Sequence, residues 1–177
     1  MIKQAIIPLA GLGTRLLPLT SVIPKELLPI GGKPGLEYIL DECIDAGVKE
    51  IILIISKKKK FIKDYFYKDN FYEKLIKKKN DKRLISEFKK IKKYRKFIKF
   101  IYQNKPLGTG DAVLKAKHLI KQKFFLMLLP DDLIIKKNCS KSMVAIHNKY
   151  NSGVIASMNV KRKNVSRWGI YDVKKKN

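Results

Sequence analysis

Few residues of the kinds that build disulfide frameworks, metal centres or catalytic triads are present. The 177-residue chain has two cysteines, Cys43 and Cys139, and two histidines, His118 and His147. Two cysteines cannot form a disulfide framework, and neither has further ligands at metal-binding spacing. Neither histidine has a carboxylate or hydroxyl partner at a spacing typical of a nucleophilic triad. We therefore predict structural or solvated roles for all four residues and no covalent catalysis.

Long hydrophobic runs are also missing. The longest apolar runs are Ile51–Ile55 and Phe124–Leu129, which are far shorter than a membrane span. The N-terminus lacks the charged start and apolar core of a secretion signal. Hydrophobic residues make up 45% of the chain, which is enough for a folded core, and the length suits one domain over residues 1–177. We expect a soluble cytoplasmic protein with a single domain.

Acidic residues are scarce, since 15 Asp and Glu stand against 40 Lys and Arg and the net charge is +25. An excess of this size is a feature of nucleic-acid-binding proteins. Its distribution favours solvated faces instead, because residues 1–56 hold 5 basic and 6 acidic side chains while residues 57–105 hold 20 and 5. Only 5 of the basic residues are Arg, the type that recognises phosphates and bases in bidentate fashion. Nucleic-acid binding is therefore the less favoured alternative.

A glycine loop with two nearby cations is the strongest chemical signal. The segment Ala10-Gly11-Leu12-Gly13-Thr14-Arg15 follows an apolar run, and Pro24-Lys25-Glu26-Leu27-Leu28-Pro29 comes shortly after it. Glycines let backbone N–H groups approach a phosphate closely, and Arg15 and Lys25 can neutralise the charge that a phosphate bears or develops. A tight turn between a strand and a helix, with Arg15 solvated, is the alternative.

Two better-known phosphate loops do not fit. A dinucleotide-binding Gly-x-Gly-x-x-Gly would need a third glycine where Leu16 stands. A P-loop at Gly32-Lys33 would need a hydroxyl where Pro34 stands and a first glycine where Leu27 stands. The glycine loop therefore predicts a phosphate site of another kind.

Strands and helices are predicted to alternate along the chain. Apolar runs predict strands at 3–9, 51–55, 97–102, 124–129 and 154–160, and helical spacing predicts helices at 34–46, 110–120 and 144–150. Helical periods also occur between Lys57 and Lys96, without clear boundaries. This order predicts an α/β fold of three layers, in which helices cover both faces of a mostly parallel sheet. Ligands bind such sheets at the carboxyl ends of the strands.

Two of these strands are followed by polar residues suited to a nucleotide. Gln103 follows the third strand, and its amide offers both a donor and an acceptor to the edge of a pyrimidine. Asp131 and Asp132 follow the fourth strand, where a carboxylate beside a triphosphate is a suitable Mg²⁺ ligand. Taken alone, either segment is more typical of a turn.

Together these motifs resemble the signature of the sugar-nucleotide pyrophosphorylases, and most closely that of the bacterial-type UTP–glucose-1-phosphate uridylyltransferases. The signature pair is Ala10–Arg15 and Ile23–Pro29, and the strong similarity runs through residues 3–56 and 103–134. Leu12 and Glu26 favour the uridylyl branch over the related thymidylyltransferases. The resemblance implies a Rossmann-like nucleotidyltransferase fold of the glycosyltransferase-A type. It also implies transfer of a uridylyl group from UTP to glucose 1-phosphate by direct displacement, with Mg²⁺ as cofactor.

The resemblance further implies roles for individual residues. Arg15 and Lys25 are expected to be catalytic, Asp131 to bind the metal with Asp132 in support, and Gly169, after Trp168, to contact the sugar. The expected nucleotide contacts are Leu9, Ala10, Gly11, Gly13, Thr14, Glu26, Gln103, Gly108 and Thr109. Members of the family form homo-oligomers.

Enzymes of this family are substantially longer than this chain. The lysine that meets the sugar phosphate and a second acidic metal ligand would fall beyond Asn177. We therefore expect the C-terminal part of the fold to be missing. UTP binding without turnover, and a related thymidylyltransferase, stay open as alternatives to the complete uridylyl transfer.

Overall fold

A computed structural model describes residues 2–68 and 70–173, which contain a parallel four-stranded sheet and a separate small hairpin. The strands are β1 (Gln4–Pro8), β2 (Pro29–Ile30), β3 (Lys33–Pro34), β4 (Glu50–Ile55), β5 (Ile98–Tyr102) and β6 (Leu126–Met127). The central sheet has the order β5-β4-β1-β6, and every neighbouring pair in it is parallel. Strands β2 and β3 form the antiparallel hairpin.

Helices alternate with the strands of the central sheet. They are α1 (Gly35–Asp45), α2 (Lys60–Tyr67), α3 (Asn70–Lys79), α4 (Lys82–Tyr94), α5 (Gly108–Lys115) and α6 (Cys139–Tyr150). The long connection between β1 and β2 contains three short 3₁₀ turns. In the part of the chain that the structure describes, no helix combines the length and the apolar character needed to cross a membrane.

The central strands are apolar on both faces, which produces the three layers that the alternating order predicts. Ile51, Leu53 and Ile55 pack into one core together with α1, α2, α4 and α6 residues. Ile52 and Ile54 point the opposite way and pack with Ala112 and Ala116 near α5. Because helices cover both faces of the sheet, β4 has apolar residues at successive positions instead of alternating apolar and polar residues. The predicted three-layer α/β fold is confirmed.

Most of the predicted elements lie within one or two residues of those observed, and the main differences occur late in the chain. The strand predicted at 124–129 is paired with β1 only through Leu126 and Met127. The strand predicted at 154–160 is wrong, because the structure assigns no strand there and Ile155 and Met158 are 66% and 69% exposed. An apolar run forms a strand only where a neighbouring edge supplies backbone partners. None of the described residues does so for this segment.

The strand order creates a topological switch point beside β1. From β1 the chain proceeds to β4 and β5 on one side, and then returns to place β6 on the other side. Connections that leave neighbouring strands in opposite directions open a crevice at the carboxyl ends of those strands. The glycine loop after β1 and the Asp131-Asp132 segment after β6 both start at this crevice.

The small hairpin anchors the connection that carries Lys25 to the start of α1. The Tyr38 hydroxyl donates a hydrogen bond to the Ile30 carbonyl at 2.8 Å, and the Gly35 N–H donates one to the Leu28 carbonyl at 3.1 Å. A Cβ atom at Gly35 would lie 3.2 Å from Cδ1 of Ile30. Glycine at this position therefore allows the hairpin to pack closely against the helix.

Candidate active site

The first part of the glycine loop continues the backbone pairing of β1 and then opens to solvent. The Leu9 N–H donates a hydrogen bond to the Ile54 carbonyl at 2.7 Å, and both Leu9 and Ala10 are buried. Gly11 is exposed, and no heavy atom lies within 4 Å of the place a Cβ would take. The backbone at Gly11 is therefore open to close approach by a ligand.

Gly13 gives the loop its turn. It has a positive φ of 69° and is the N-cap residue of the 3₁₀ turn Thr14–Leu16. The Thr20 hydroxyl donates a hydrogen bond to the Gly13 carbonyl at 2.8 Å, and a Cβ at Gly13 would lie 3.3 Å from Cγ2 of Thr20. Glycine adopts this left-handed backbone conformation with less strain than a residue that carries a Cβ. The turn leaves Thr14 and Arg15 exposed.

Lys25 and Asp131 join the two sides of the crevice. The ammonium Nζ of Lys25 lies 3.1 Å from Oδ2 of Asp131, although 106 residues separate them in sequence. Burial opposes ionisation of the Asp131 carboxyl, but the hydrogen bond from Lys25 and the charges of Lys25 and Arg15 outweigh it and lower the pKa of Asp131. The structure thus brings together the two predicted catalytic cations and the predicted metal ligand.

Glu26 points away from solvent and is held by a cation that the sequence reasoning missed. The Lys59 ammonium donates hydrogen bonds to both carboxylate oxygens of Glu26 at 2.7 and 2.8 Å, and the two side chains are 9% and 1% exposed. Burial lowers the pKa of Lys59, and the charge of Glu26 offsets this only in part. The predicted contact of Glu26 with a nucleotide stays a prediction.

Gln103 lies on the other side of β4 from the glycine loop. Its N–H donates a hydrogen bond to the Ile55 carbonyl at 2.9 Å, which extends the pairing of β5 with β4. Its side-chain Nε2 donates to the Gly108 carbonyl at 3.0 Å and to Oδ2 of Asp111 at 2.7 Å. Gly108, with φ of 88°, and Thr109 open the exposed first turn of α5. The predicted base-binding residues therefore form one cluster at the edge of the sheet.

Gly169 lies in an exposed segment without helix or strand, after a 3₁₀ turn. Two residues later, Tyr171 lines an apolar groove of about 540 Å³ beside β6, together with Met127, Leu129 and Asp132. Among the described residues, no heavy atom apart from those of its chain neighbours lies within 4 Å of the place that a Cβ of Gly169 would take. Its predicted contact with a sugar stays a prediction, as does the supporting role of Asp132.

The histidines and cysteines have the surroundings of structural or solvated residues. Nδ1 of His147 lies 2.8 Å from the Ser152 carbonyl, and its ring packs on Phe124 with the centroids 4.5 Å apart. His118 is exposed on a 3₁₀ turn. Cys43 is fully buried in the core, and burial raises the pKa of the thiol of the half-buried Cys139, with the charge of Glu42 adding to the effect.

A bound Mg²⁺ would find one carboxylate in this crevice rather than a complete set of protein ligands. Residues 2–68 and 70–173 contain no group of three His, Cys, Asp or Glu side chains that could hold a metal ion. The Asp131 side chain is 58% exposed and contacts Lys25. Mg²⁺ is commonly bound through one or two carboxylates together with substrate phosphates and water. The site therefore suits a metal that arrives with a triphosphate.

The sequence profile of the nucleotidyl transferase family matches residues 4–177. The chain belongs to this family. Among curated members, it is 38% identical over 178 residues to a UTP–glucose-1-phosphate uridylyltransferase of Streptococcus pyogenes, covering 96% of this chain and 57% of that one. A UTP–glucose-1-phosphate uridylyltransferase of Bacillus subtilis is 35% identical over 172 residues, covering 97% and 58%.

Solved structures of the nucleotidyl transferase family agree with the fold. The UTP-bound UDP-glucose pyrophosphorylase of Acinetobacter baumannii superposes with a TM-score of 0.79 at 35% identity, covering 86% of this chain and 54% of that chain. The predicted similarity to this branch is therefore confirmed. The chain spans a little more than half the length of these relatives.

Three polar residues near the candidate site were not predicted from the sequence. Lys59 is one of four consecutive lysines, Lys57–Lys60, and nothing in that run distinguishes it from its neighbours. Ser56 directly follows β4, and its buried hydroxyl has no hydrogen-bond partner among the residues that the structure describes. Asp111 could have been found, because an acid in the first turn of a helix next to glycines is a recognisable pattern.

Proposed function

We propose that this chain transfers a uridylyl group from UTP to glucose 1-phosphate, giving UDP-glucose and pyrophosphate. The observation that carries the proposal is the contact between Lys25 and Asp131 across the switch point, beside the open backbone at Gly11. The similarity to uridylyltransferases adds the substrate class. Both substrates are phosphorylated metabolites, so we further propose that the protein acts in the cytoplasm.

The proposed reaction is a direct displacement at the α-phosphorus of UTP. A phosphate oxygen of glucose 1-phosphate forms the new P–O bond as the bond to the pyrophosphate oxygen breaks, and pyrophosphate leaves with its electron pair. For such a step the protein chiefly has to align the two substrates and stabilise the charge on the phosphates. No proton transfer or covalent intermediate on the protein is required.

The residues of the crevice suit those two tasks. The backbone at Gly11 is open, so its N–H can approach phosphate oxygens, whereas the Leu9 N–H is already bonded to the Ile54 carbonyl. Leu9 and Ala10, which are buried just before Gly11, are proposed to contact the nucleotide through other backbone groups. Arg15 is exposed on the 3₁₀ turn and is proposed to stabilise the triphosphate and its developing charge. Lys25 is proposed to hold phosphate oxygens near the reacting phosphorus, exchanging its contact with Asp131 for one with the substrate. Thr14 is exposed beside Gly13 and is proposed as a further nucleotide contact.

Asp131 is proposed to hold Mg²⁺ together with oxygens of the triphosphate, with Asp132 in support. When bound, the metal would supply positive charge to the leaving pyrophosphate. A metal held there would share the Asp131 carboxylate with Lys25, and its positive charge would weaken the attraction between the two side chains. Lys25 is therefore proposed to contact the phosphates more readily when the metal is bound.

The uracil base is proposed to lie near Gln103, Gly108 and Thr109, with Glu26 as a further nucleotide contact and the sugar near Gly169. A second candidate function is UTP binding without turnover. It is supported by the distribution of the predicted contacts, since those for nucleotide cluster around two loops while Gly169 lies in a separate exposed segment.

The two functions are separated by incubating the purified chain with UTP, Mg²⁺ and glucose 1-phosphate and measuring pyrophosphate release. Binding of UTP is measured in parallel by calorimetry. Release of pyrophosphate that depends on glucose 1-phosphate supports uridylyl transfer. Binding without release supports the second function, and the absence of both contradicts the assignment.

A further inference from the structure

We propose that Asp111 is a positioning residue that makes the base site select a pyrimidine with an N–H group at N3, such as uracil, over cytosine. It does so by fixing the orientation of the Gln103 amide. This inference rests on the proposed function, because it concerns the base of the same nucleotide. Asp111 itself need not touch the base.

The contacts of Gln103 leave its amide only one chemically reasonable orientation. Nε2 donates to the Gly108 carbonyl at 3.0 Å and to Oδ2 of Asp111 at 2.7 Å, and the residue is 4% exposed. Carbonyl and carboxylate oxygens accept hydrogen bonds and have none to give. A flipped amide would place Oε1 against two acceptors in a buried site, which is strongly unfavourable. The carboxylate of Asp111 therefore locks the amide.

This orientation leaves Oε1 of Gln103 as the group available to a ligand. Oε1 receives no hydrogen bond from the described residues, yet it is not sealed from solvent. An oxygen acceptor pairs with the N3–H of uracil. The N3 atom of cytosine carries no hydrogen and is itself an acceptor, so the same oxygen repels it. Because the two bases have nearly the same size, hydrogen bonding rather than shape must discriminate between them.

Ser56 gives an independent indication that a polar ligand enters the same place. Its hydroxyl is the one buried side-chain polar atom without a partner in the part of the chain that the structure describes. The residue is extended, with φ −90° and ψ 159°, and so continues the alternation of Ile52 and Ile54 toward the α5 face. It lies in sequence directly after Ile55, whose carbonyl accepts from the Gln103 N–H. A hydroxyl donates and accepts, so Ser56 can bind either base without selecting one.

Among the described residues, the Asp111 carboxylate has one polar partner besides Gln103, and that partner provides a matched control. Nζ of Lys115 lies 3.7 Å from Oδ1 of Asp111, one turn further along α5. Oδ1 and Oδ2 are thus used separately, by Lys115 and by Gln103. Removing the lysine should leave the contact with the amide in place.

The test measures the affinities of UTP and CTP, each with Mg²⁺, by calorimetry on the wild-type chain and three variants. We expect wild type to prefer UTP, and Asp111→Asn to lower the ratio of the two dissociation constants about tenfold, the effect of one hydrogen bond. The reason is that the asparagine amide at position 111 can donate a hydrogen bond to Oε1 of Gln103, which permits the Gln103 amide to flip. Ser56→Ala should weaken both nucleotides about equally, and Lys115→Met should leave the ratio unchanged.

A ligand-free measurement separates this inference from the proposed function. The side-chain amide protons of Gln103, identified by their loss in Gln103→Met, should exchange slowly in wild type and faster in Asp111→Asn. If UTP binds and the ratio is the same in wild type and Asp111→Asn, the inference is overturned and the proposed function stands. If the wild-type chain binds neither nucleotide, the proposed function fails and the selectivity fails with it, whatever the amide protons show.

Discussion

Replacing Lys59 by methionine should destabilise the fold strongly, because it leaves the Glu26 carboxylate buried without a partner. The two charges lie 2.7 and 2.8 Å apart through two hydrogen bonds, and Glu26 has 1% of its side chain exposed. Water cannot replace the lost ammonium at this depth.

The size of the effect follows from the burial of both groups. Removing one member of a buried ion pair costs about 3–5 kcal/mol of unfolding free energy, most of it the desolvation of the remaining charge. For a chain of this length each kcal/mol lowers the melting temperature by about 2–4 °C. The expected loss is therefore about 6–20 °C. Replacing both members by apolar residues, as in Glu26→Leu with Lys59→Met, should recover more than half of it, because no unpaired charge is left.

Urea and thermal unfolding followed by circular dichroism measure these differences, and Lys58→Met is the matched control. Lys58 is exposed in the same 3₁₀ turn, and its replacement should change stability by no more than about 0.5 kcal/mol. The reasoning is refuted if Lys59→Met costs no more than Lys58→Met. It is equally refuted if the double variant is as unstable as Lys59→Met alone.

Three further predictions concern the glycine loop and the acid stability of the sheet. Arg15→Ala should lower kcat for pyrophosphate release by about 10²–10³ with an unchanged melting curve, as for loss of a group that stabilises transition-state charge; survival of the rate would remove Arg15 from the mechanism. Gly13→Ala should cost about 1–2 kcal/mol in urea unfolding, because alanine is strained at φ 69° and its Cβ would press on Thr20; a neutral effect would show that the turn can rearrange. A hydrogen bond from Lys99 holds the pKa of Glu50 below its ordinary value of 4.5, against the opposing effect of burial. A carboxyl whose pKa is lower in the folded than in the unfolded state stabilises the fold at pH values above its unfolded-state pKa. The contribution of Glu50 should therefore be lost as the pH falls below about 4.5. Glu50→Gln should make the free energy of unfolding less dependent on pH in this acid range.

The parts of the fold that could be predicted from the sequence are those that depend on local pattern. The strand at Glu50–Ile55 is a continuous apolar run, and α1 has apolar residues at helical spacing and is followed by Gly47, whose φ is 90°. The glycine loop predicts phosphate binding from local residue types, because glycines allow close approach of the backbone and nearby cations can neutralise phosphate charge. Local pattern was a poor guide at 154–160, since apolar residues alone do not supply a neighbouring strand edge.

By itself, therefore, the sequence determined the α/β order and the family that its motifs resemble. Only the tertiary structure decided which polar groups meet. It brought Lys25 to Asp131 across the switch point, buried Lys59 against Glu26, and turned the Gln103 amide toward Asp111. The physical reason is that a charge or an amide has no preferred partner until neighbours from distant parts of the chain remove water from around it. Four adjacent lysines are equivalent in sequence, and burial beside a carboxylate makes one of them different.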